Sequence, residues 1–283
     1  MVKNMNYVIH TYYHNLKGTY KEIADYILST DKFAPDLTIN DLAKDAKVSI
    51  STISRFAKIL GFNSFQDFKI SLLTSNKEAS GTLFLDITKE DSYMAITKKI
   101  FQANISTLEA TVQVLTNKQL NSAINIITDS LAVGFFGLGA SSIVAEDGFH
   151  KFLRSDKQPY YSADYHMQLM LAAKMTSKDC AVVISHSGEN KDTLQIVSEL
   201  KKNNVKIIGI TSYGNSALTE LVDVCLLSVS DETKYQNEAL HAIIAQISLV
   251  DTLYAIIAVK DEFQTNSLLQ EIRDTINQTR NKK

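Results

Sequence analysis

Cysteine is scarce: the 283-residue chain has two, Cys180 and Cys225, far apart and each opening an apolar run. Such spacing offers neither a disulfide framework nor a zinc ligand set, and suits buried thiols in a reducing compartment. No apolar run approaches the roughly 18 residues of a membrane span, because the greasiest stretch, Ala242–Val259, is interrupted by Gln246 and Asp251. The opening residues, MVKNMNYVIHTYYHN, lack a basic segment followed by an apolar one, so no secretory signal is expected. An excess of charge is also missing. With 21% charged and 45% apolar residues and a net charge of −2, the chain is neither disordered nor fibrous. At roughly 100–200 residues per domain, the length predicts two domains. The expectation is a cytoplasmic protein with no membrane partner, no metal and no cofactor.

The near-zero net charge conceals an asymmetry. Residues 1–75 carry nine basic against seven acidic side chains, and the remainder twenty against twenty-four, so the N-terminal part is the better partner for a polyanion. The texture changes once along the chain. Up to about Leu73 every periodic segment reads as helix. Thr19-Tyr-Lys-Glu22 is a capping-box pattern ahead of apolar Ile23, Ala24, Ile27 and Leu28, and Thr38-Ile-Asn-Asp41 repeats the device. A polar stretch interrupted by Ser-Gly comes next, and a long amphipathic helix is expected over Tyr93–Leu115. From Leu131 onward, LAVGFF, CAVVIS, VKIIGIT and DVCLLSV alternate with helix-length segments, predicting a mainly parallel sheet covered on both faces.

Within the helical head, INDLAKDAKVSISTISRFAKILGF (Ile39–Phe62) has the spacing of a helix-turn-helix. Leu42 and Ala43 lock the first helix, Ala46 and Val48 flank the turn, and Ile53 and Phe56 face inward from the second helix. Ser49 is placed to cap that helix and Gly61 to stop it. Lys47 stands where many such turns carry Gly, at a cost of roughly 1–2 kcal/mol if left-handed. The outward residues Ser51, Thr52, Ser54, Arg55 and Lys58, with Ser49, form a face of short hydroxyls and two cations without a single carboxylate. Short side chains let the backbone approach base edges, while Arg and Lys reach phosphate oxygens or guanine. An ordinary helical hairpin is the alternative.

Two strand-to-helix loops in the body suit a phosphate. Gly137-Leu-Gly-Ala-Ser-Ser142 can turn tightly and aim amides at an anion, but the third glycine of GxGxxG is replaced by Ser142 and no Walker-type Lys is present, which disfavours a nucleotide. Ser185-His-Ser-Gly-Glu-Asn-Lys-Asp-Thr193 offers two hydroxyls at i and i+2, then Gly and a helix start. Both loops should fall at the carboxyl ends of strands, where open α/β sheets bind ligands. Ordinary βα turns would use the same residue types.

The segment SHSGENKDT is similar to the SxSGxTxDT hallmark of the SIS (sugar isomerase) domain, and GLGASS resembles that domain's first ligand loop. ITSYGNSALTELVDVCLLS looks like its third strand–loop–helix–strand unit, and VSISTISRFAKILGFNSF resembles the head of RpiR-type regulators. Together they resemble the RpiR/MurR-type arrangement over nearly the whole chain. The resemblance implies an α/β fold: a helix-turn-helix domain over residues 1–75, a linker over 76–92, and a flavodoxin-like αβα SIS domain with flanking helices over 93–283. It implies a regulator that binds operator DNA and senses a phosphorylated sugar or amino sugar, controlling carbohydrate-metabolism genes as a homodimer or homotetramer. The ligand residues carried over are Ser141, Ser185, His186, Ser187 and Asn190, the last replacing the motif's usual Thr. Ala140 stands where enzymatic SIS proteins often carry a hydroxyl, and Ala239–Tyr254 resembles a helix that often joins subunits. The alternative is a phosphosugar isomerase. Its proton shuttle would come from Glu146, His166, His186, Glu238 or His241, among which the sequence pairs no base with an acid.

Overall fold

The computed structural model of the chain describes residues 5–13, 16–30, 33–75, 87–229 and 240–280. Two compact units are present. The first takes in Met1–Thr116, Ser212–Ser216 and Leu227–Ala245, and the second Asn117–Thr211, Ala217–Leu226 and Gln246–Lys283.

In the first unit, helices α1 (Met5–Tyr13), α2 (Thr19–Leu28), α3 (Ile39–Asp45), α4 (Ile50–Ile59) and α5 (Phe65–Ser75) precede the long α6 (Tyr93–Val114). Their core is Met5, Val8, Ile9, Ile23, Ala24, Ile27, Leu42, Ile53, Phe56 and Phe68, each at most 2% exposed. Phe56, Phe62 and Phe68 meet edge to face, and each buried ring contributes roughly 1.5–3 kcal/mol. The capping box expected at Thr19 is not formed. Helix α2 begins at Thr19 itself, with Gly18 at φ 53° as its N-cap and no side-chain cap, so the Thr19 hydroxyl lies one residue too far into the helix. The Thr38–Asp41 box is reciprocal: Asp41 N–H donates to the Thr38 hydroxyl and Thr38 N–H to the Asp41 carboxylate. Helix α6, capped by Ser92, packs in the same unit as the helical head, although the sequence reading groups it with the body. Of the expected linker, residues 76–86 lie outside the described residues.

The second unit is built on a five-stranded sheet. In chain order come α7 (Asn117–Thr128), β1 (Ala132–Gly137), α8 (Ala140–Phe152), β2 (Gln158–Tyr160), α9 (Tyr165–Lys174), β3 (Cys180–Ile184), α10 (Lys191–Lys202), β4 (Lys206–Thr211), α11 (Ala217–Leu221) and β5 (Val224–Leu227). Helices α12 (Leu240–Lys260) and α13 (Glu262–Arg280) follow. The strand order is β2-β1-β3-β4-β5, with β1 parallel to both β2 and β3, and β3 parallel to β4. Strands β1 and β3 are buried at every residue, as expected of strands covered on both faces. All four apolar runs became strands. Strand β2 was not foreseen, because three residues around Pro159 give no periodic signal, and proline is tolerated only at such an edge.

The apolar stretch near the C-terminus differs from its expectation. Ala242–Lys260 is one unbroken helix, long and apolar enough to cross a bilayer by length and composition, with 39% of it buried within the chain. Two polar residues do not interrupt it: Gln246 is 1% exposed, and Asp251 pairs with Lys151 of α8 at 3.0 Å. Phe152 of α8 also packs against Tyr254. Both cysteines are free.

Candidate functional site

The chain leaves β1 toward β2 on one side and leaves β3 toward β4 on the other, so the loops after these adjacent strands part and open a crevice. Gly137 is in register with Ile184, and both loops therefore start at one level. Between them lies a cavity of about 210 Å³. The first loop contributes Leu138, Ala140 and Ser141, and the second Ile184, Ser185, His186, Ser187, Asn190 and Thr193. All five ligand residues expected from the sequence are brought together. Leu138, Ile184 and Thr193 were not singled out, although Thr193 ends the quoted loop.

Local chemistry shapes both loops. A Cβ on Gly137 would meet the Ser141 carbonyl oxygen at 2.5 Å, so only glycine lets β1 end against the first turn of α8. Gly139 at φ 57° is the N-cap of α8, which has no side-chain cap, so no side chain competes with an incoming anion for its first amides. In the second loop, the Ser185 hydroxyl accepts Gly188 N–H and the Ser187 hydroxyl accepts Glu189 N–H, each at 3.2 Å. A hydroxyl that accepts a loop amide still has its proton to give to an anion. Asn190 caps α10: its Oδ1 accepts from Thr193 N–H at 2.9 Å and from the Thr193 hydroxyl at 3.2 Å. Asn is among the best N-cap residues, which accounts for its presence where the motif has Thr, and its Nδ2 remains as a donor. The loop is anchored from below by Ser185 N–H to Ile210 O and from the side by Leu218 N–H to Gly188 O, both 3.0 Å. Ala217 N–H donates to the Glu189 carboxylate at 2.9 Å.

Among the described residues, none that lines it is Lys, Arg, Asp or Glu. An anion there would be held by hydroxyls and by the N-terminal dipoles of α8 and α10. Of the five candidates for a proton shuttle, His186 lines the cavity, Glu146 is exposed on α8, and His166 is exposed beside Tyr165. Glu238 and the side chain of His241 lie outside the described residues. Among the described residues, no cluster of three or more His, Cys, Asp or Glu is placed to hold a metal.

In the first unit, α3 and α4 form the predicted pair. Helix α3 ends with Lys47 at φ 54°, Lys47 N–H donating to Lys44 O and Val48 N–H to Ala43 O, a Schellman closure with a lysine in the glycine position. Ser49 caps α4 by accepting Thr52 N–H, and its hydroxyl also lies 2.8 Å from that of Ser51 and 2.7 Å from that of Thr52. Helix α4 stops at Leu60 with Gly61 at φ 80°, Phe62 N–H returning to Ala57 O. Ser49, Ser51, Arg55 and Lys58 are exposed, Thr52 and Ser54 half-buried, and Ile53 and Phe56 fully buried. Ile50, not singled out from the sequence, is 49% exposed at the start of the same helix.

Comparison with known proteins agrees with this geometry at both ends. Residues 3–78 match the helix-turn-helix domain of the rpiR family and residues 126–256 the SIS domain. An uncharacterized HTH-type transcriptional regulator of Thermotoga maritima is 33% identical over 251 residues, 88% of this chain and 90% of the relative. The HTH-type transcriptional regulator HexR of Escherichia coli is 26% identical over 98% of this chain and 96% of its own. The Vibrio vulnificus NanR protein, solved in complex with ManNAc-6P, shares the fold at a TM-score of 0.60 and 21% identity, over 93% of this chain and 95% of that one. One third identity along nearly all of the Thermotoga protein is a likeness of family, and the chain belongs to the RpiR-type helix-turn-helix transcriptional regulators that carry a SIS domain.

Proposed function

We propose that this regulator senses a phosphorylated sugar or amino sugar in its SIS cavity, and through it controls carbohydrate-metabolism genes in the cytoplasm. The observation that carries this reading is the cavity between two helix N-termini, which offers the Ser185 and Ser187 hydroxyls and, among the described residues, no fixed charge. A phosphate supplies its own negative charge and many acceptors, which such a site complements, while the apolar Leu138 and Ile184 suit the carbon skeleton beside it. NanR held ManNAc-6P on the same fold, which supports the ligand class. Residues 1–75 read operator DNA through Ser49, Ser51, Thr52, Ser54, Arg55 and Lys58. The residues that line the cavity all belong to the second unit. One recognition helix reads too few base pairs for useful specificity, so two heads act together in a homodimer or homotetramer.

Sensing is favoured over isomerisation because proton transfer between neighbouring carbons needs a positioned acid and base, and His186 is the one candidate beside the ligand loops among the described residues. The test is a thermal-shift panel of sugar phosphates on the full chain, and then operator binding with and without the best of them. Ligand at a hundredfold excess over Kd should stabilise the fold by roughly 2.7 kcal/mol. The Ser185→Ala/Ser187→Ala double variant should keep one DNA affinity whether or not sugar phosphate is present. A double variant that still responds, or turnover of any sugar phosphate by the wild type, overturns the reading.

A further inference from the structure

The cavity's first loop is held by a residue that does not line it. Gln168, on α9, is fully buried, and its side-chain amide makes three hydrogen bonds to backbone. Its Oε1 accepts from Gly137 N–H at 3.3 Å, and its Nε2 donates to Gly137 O at 2.9 Å and to Ser162 O at 2.8 Å. The reason for such an arrangement lies in the sheet. Strand β2 pairs with β1 only as far as Gly134 opposite Tyr160, three residues short of the end of β1. On the other side β3 continues to pair up to Gly137 opposite Ile184. The edge of β1 toward β2 therefore lacks a strand partner just where the ligand loop begins. Gln168 takes that place: one primary amide serves both the N–H and the C=O of Gly137, which a continuing parallel strand would serve with two of its residues.

A fixed Gly137 in turn holds the start of α8. A Cβ on Gly137 would fall 2.5 Å from the Ser141 carbonyl oxygen, so the end of β1 and the first turn of α8 form one closely packed body. The third bond of Gln168, to Ser162 O, joins this body to the connection between β2 and α9. The hydroxyls of Ser142 and Tyr161, 2.8 Å apart, make a second tie to the same connection. We propose that Gln168 is a positioning residue for the anion cavity: its amide stands in for the missing strand, sets the path of Gly137–Ser141, and so aims the α8 N-terminus at the ligand. The inference deepens the phosphosugar reading and rests on it for the nature of the ligand. The clamp itself is made by the chain's own groups.

The experiment compares full-length wild type with Gln168→Leu, which keeps the bulk and removes all three bonds, and with Asn203→Ala as a control. Asn203 donates to the Ala172 and Ala173 carbonyls at 3.2 and 3.1 Å, so its loss weakens the other end of the same helix. Amide hydrogen exchange without ligand is read at Leu138–Ser142, and Kd is measured for inorganic phosphate and for N-acetylmannosamine 6-phosphate. Gln168→Leu should speed exchange of that loop at least tenfold and raise both Kd values about tenfold. Asn203→Ala should lower Tm without moving either readout. Loop exchange unchanged in Gln168→Leu, or changed equally in Asn203→Ala, overturns the proposal. Should Gln168→Leu not fold, Gln168→Met keeps the length and the apolar packing but can make none of the three bonds, and the same loop readout decides. A wild type that binds neither probe defeats the phosphosugar reading, and loop exchange then decides the role of Gln168 by itself.

Discussion

The Thr211 hydroxyl donates to the His186 carbonyl at 2.9 Å, tying the end of β4 to the ligand loop that leaves β3. Thr211 is fully buried, so Thr211→Val keeps the shape and removes this hydrogen bond. A loss of about 1 kcal/mol is expected. It should be read as a Tm lower by about 2–4 °C together with weaker sugar-phosphate binding. Thr211→Ser should restore both, and a Val variant with wild-type affinity would show that the second loop keeps its shape without this bond.

Arg55 is exposed on α4 between half-buried Ser54 and buried Phe56. Arg55→Ala should leave the helical head folded, as read by circular dichroism, and weaken operator binding by about 1–3 kcal/mol in a titration. Unchanged affinity would remove this face of α4 from the DNA interface.

Lys47 adopts φ 54° between α3 and α4, a conformation that glycine occupies without strain. Lys47→Gly should stabilise the first unit by about 0.5–1 kcal/mol, the relief of left-handed strain exceeding the extra freedom of an unfolded glycine. Denaturant unfolding checks the sign, and a destabilised variant would mean that the lysine side chain contributes more than its backbone costs.

Burial pushes the thiols of Cys180 and Cys225 up to about 12. Essentially no thiolate exists at neutral pH, and thiolate is the reactive form. A disulfide-exchange dye should therefore report no fast thiol on the native protein and two per chain after denaturation. A rapid native reaction would point to Cys225, which is half-buried where Cys180 is fully buried, and would mean that its thiol is not held up.

Asp223 links the turn before β5 to β4. Burial alone would raise its pKa, but the Lys206 ammonium at 2.7 Å and Ile207 N–H at 2.9 Å outweigh this and hold it below the ordinary carboxylate value. Its contribution to stability is thus fully present above the unfolded value of about 3.9 and is lost as pH falls through the lower folded one. The stability gap between wild type and Asp223→Asn should stay constant above about pH 5 and shrink in more acidic solution. A gap that widens on acidification would reverse the sign of the shift.

What was legible in the sequence is what depends on neighbours in the chain. The Thr38 box, the Ser49 cap, the strained Lys47 and the four apolar strands all announce themselves within a few residues, and the ligand loops are equally local because each is a contiguous strand-to-helix turn. Thr19 misled because a capping pattern does not say which residue enters the helix first, and Gly18 took the cap. Strand β2 is too short to show a period. Gln168 was invisible for a different reason: a glutamine in YHMQLMLAAK looks like any polar helix residue, and its partner Gly137 is 31 residues away. Ile50 likewise reads as core in a helix-turn-helix until the packing of Ile53 and Phe56 shows which face is inward.

Among the described residues the cavity lining carries no charge, so on the function proposed above ligand binding and DNA binding should answer differently to salt. Hydroxyls and peptide dipoles in a half-enclosed site are poorly screened by mobile ions, so occupancy by a sugar phosphate should hold nearly constant from dilute buffer to several hundred millimolar salt. A head that grips DNA through Arg55 and Lys58 displaces condensed cations and should lose affinity steeply over the same range. Ionic strength would then tune how firmly the operator is held while leaving the metabolite threshold where it was. A cell adjusting its potassium content could change the depth of regulation without recalibrating what is sensed.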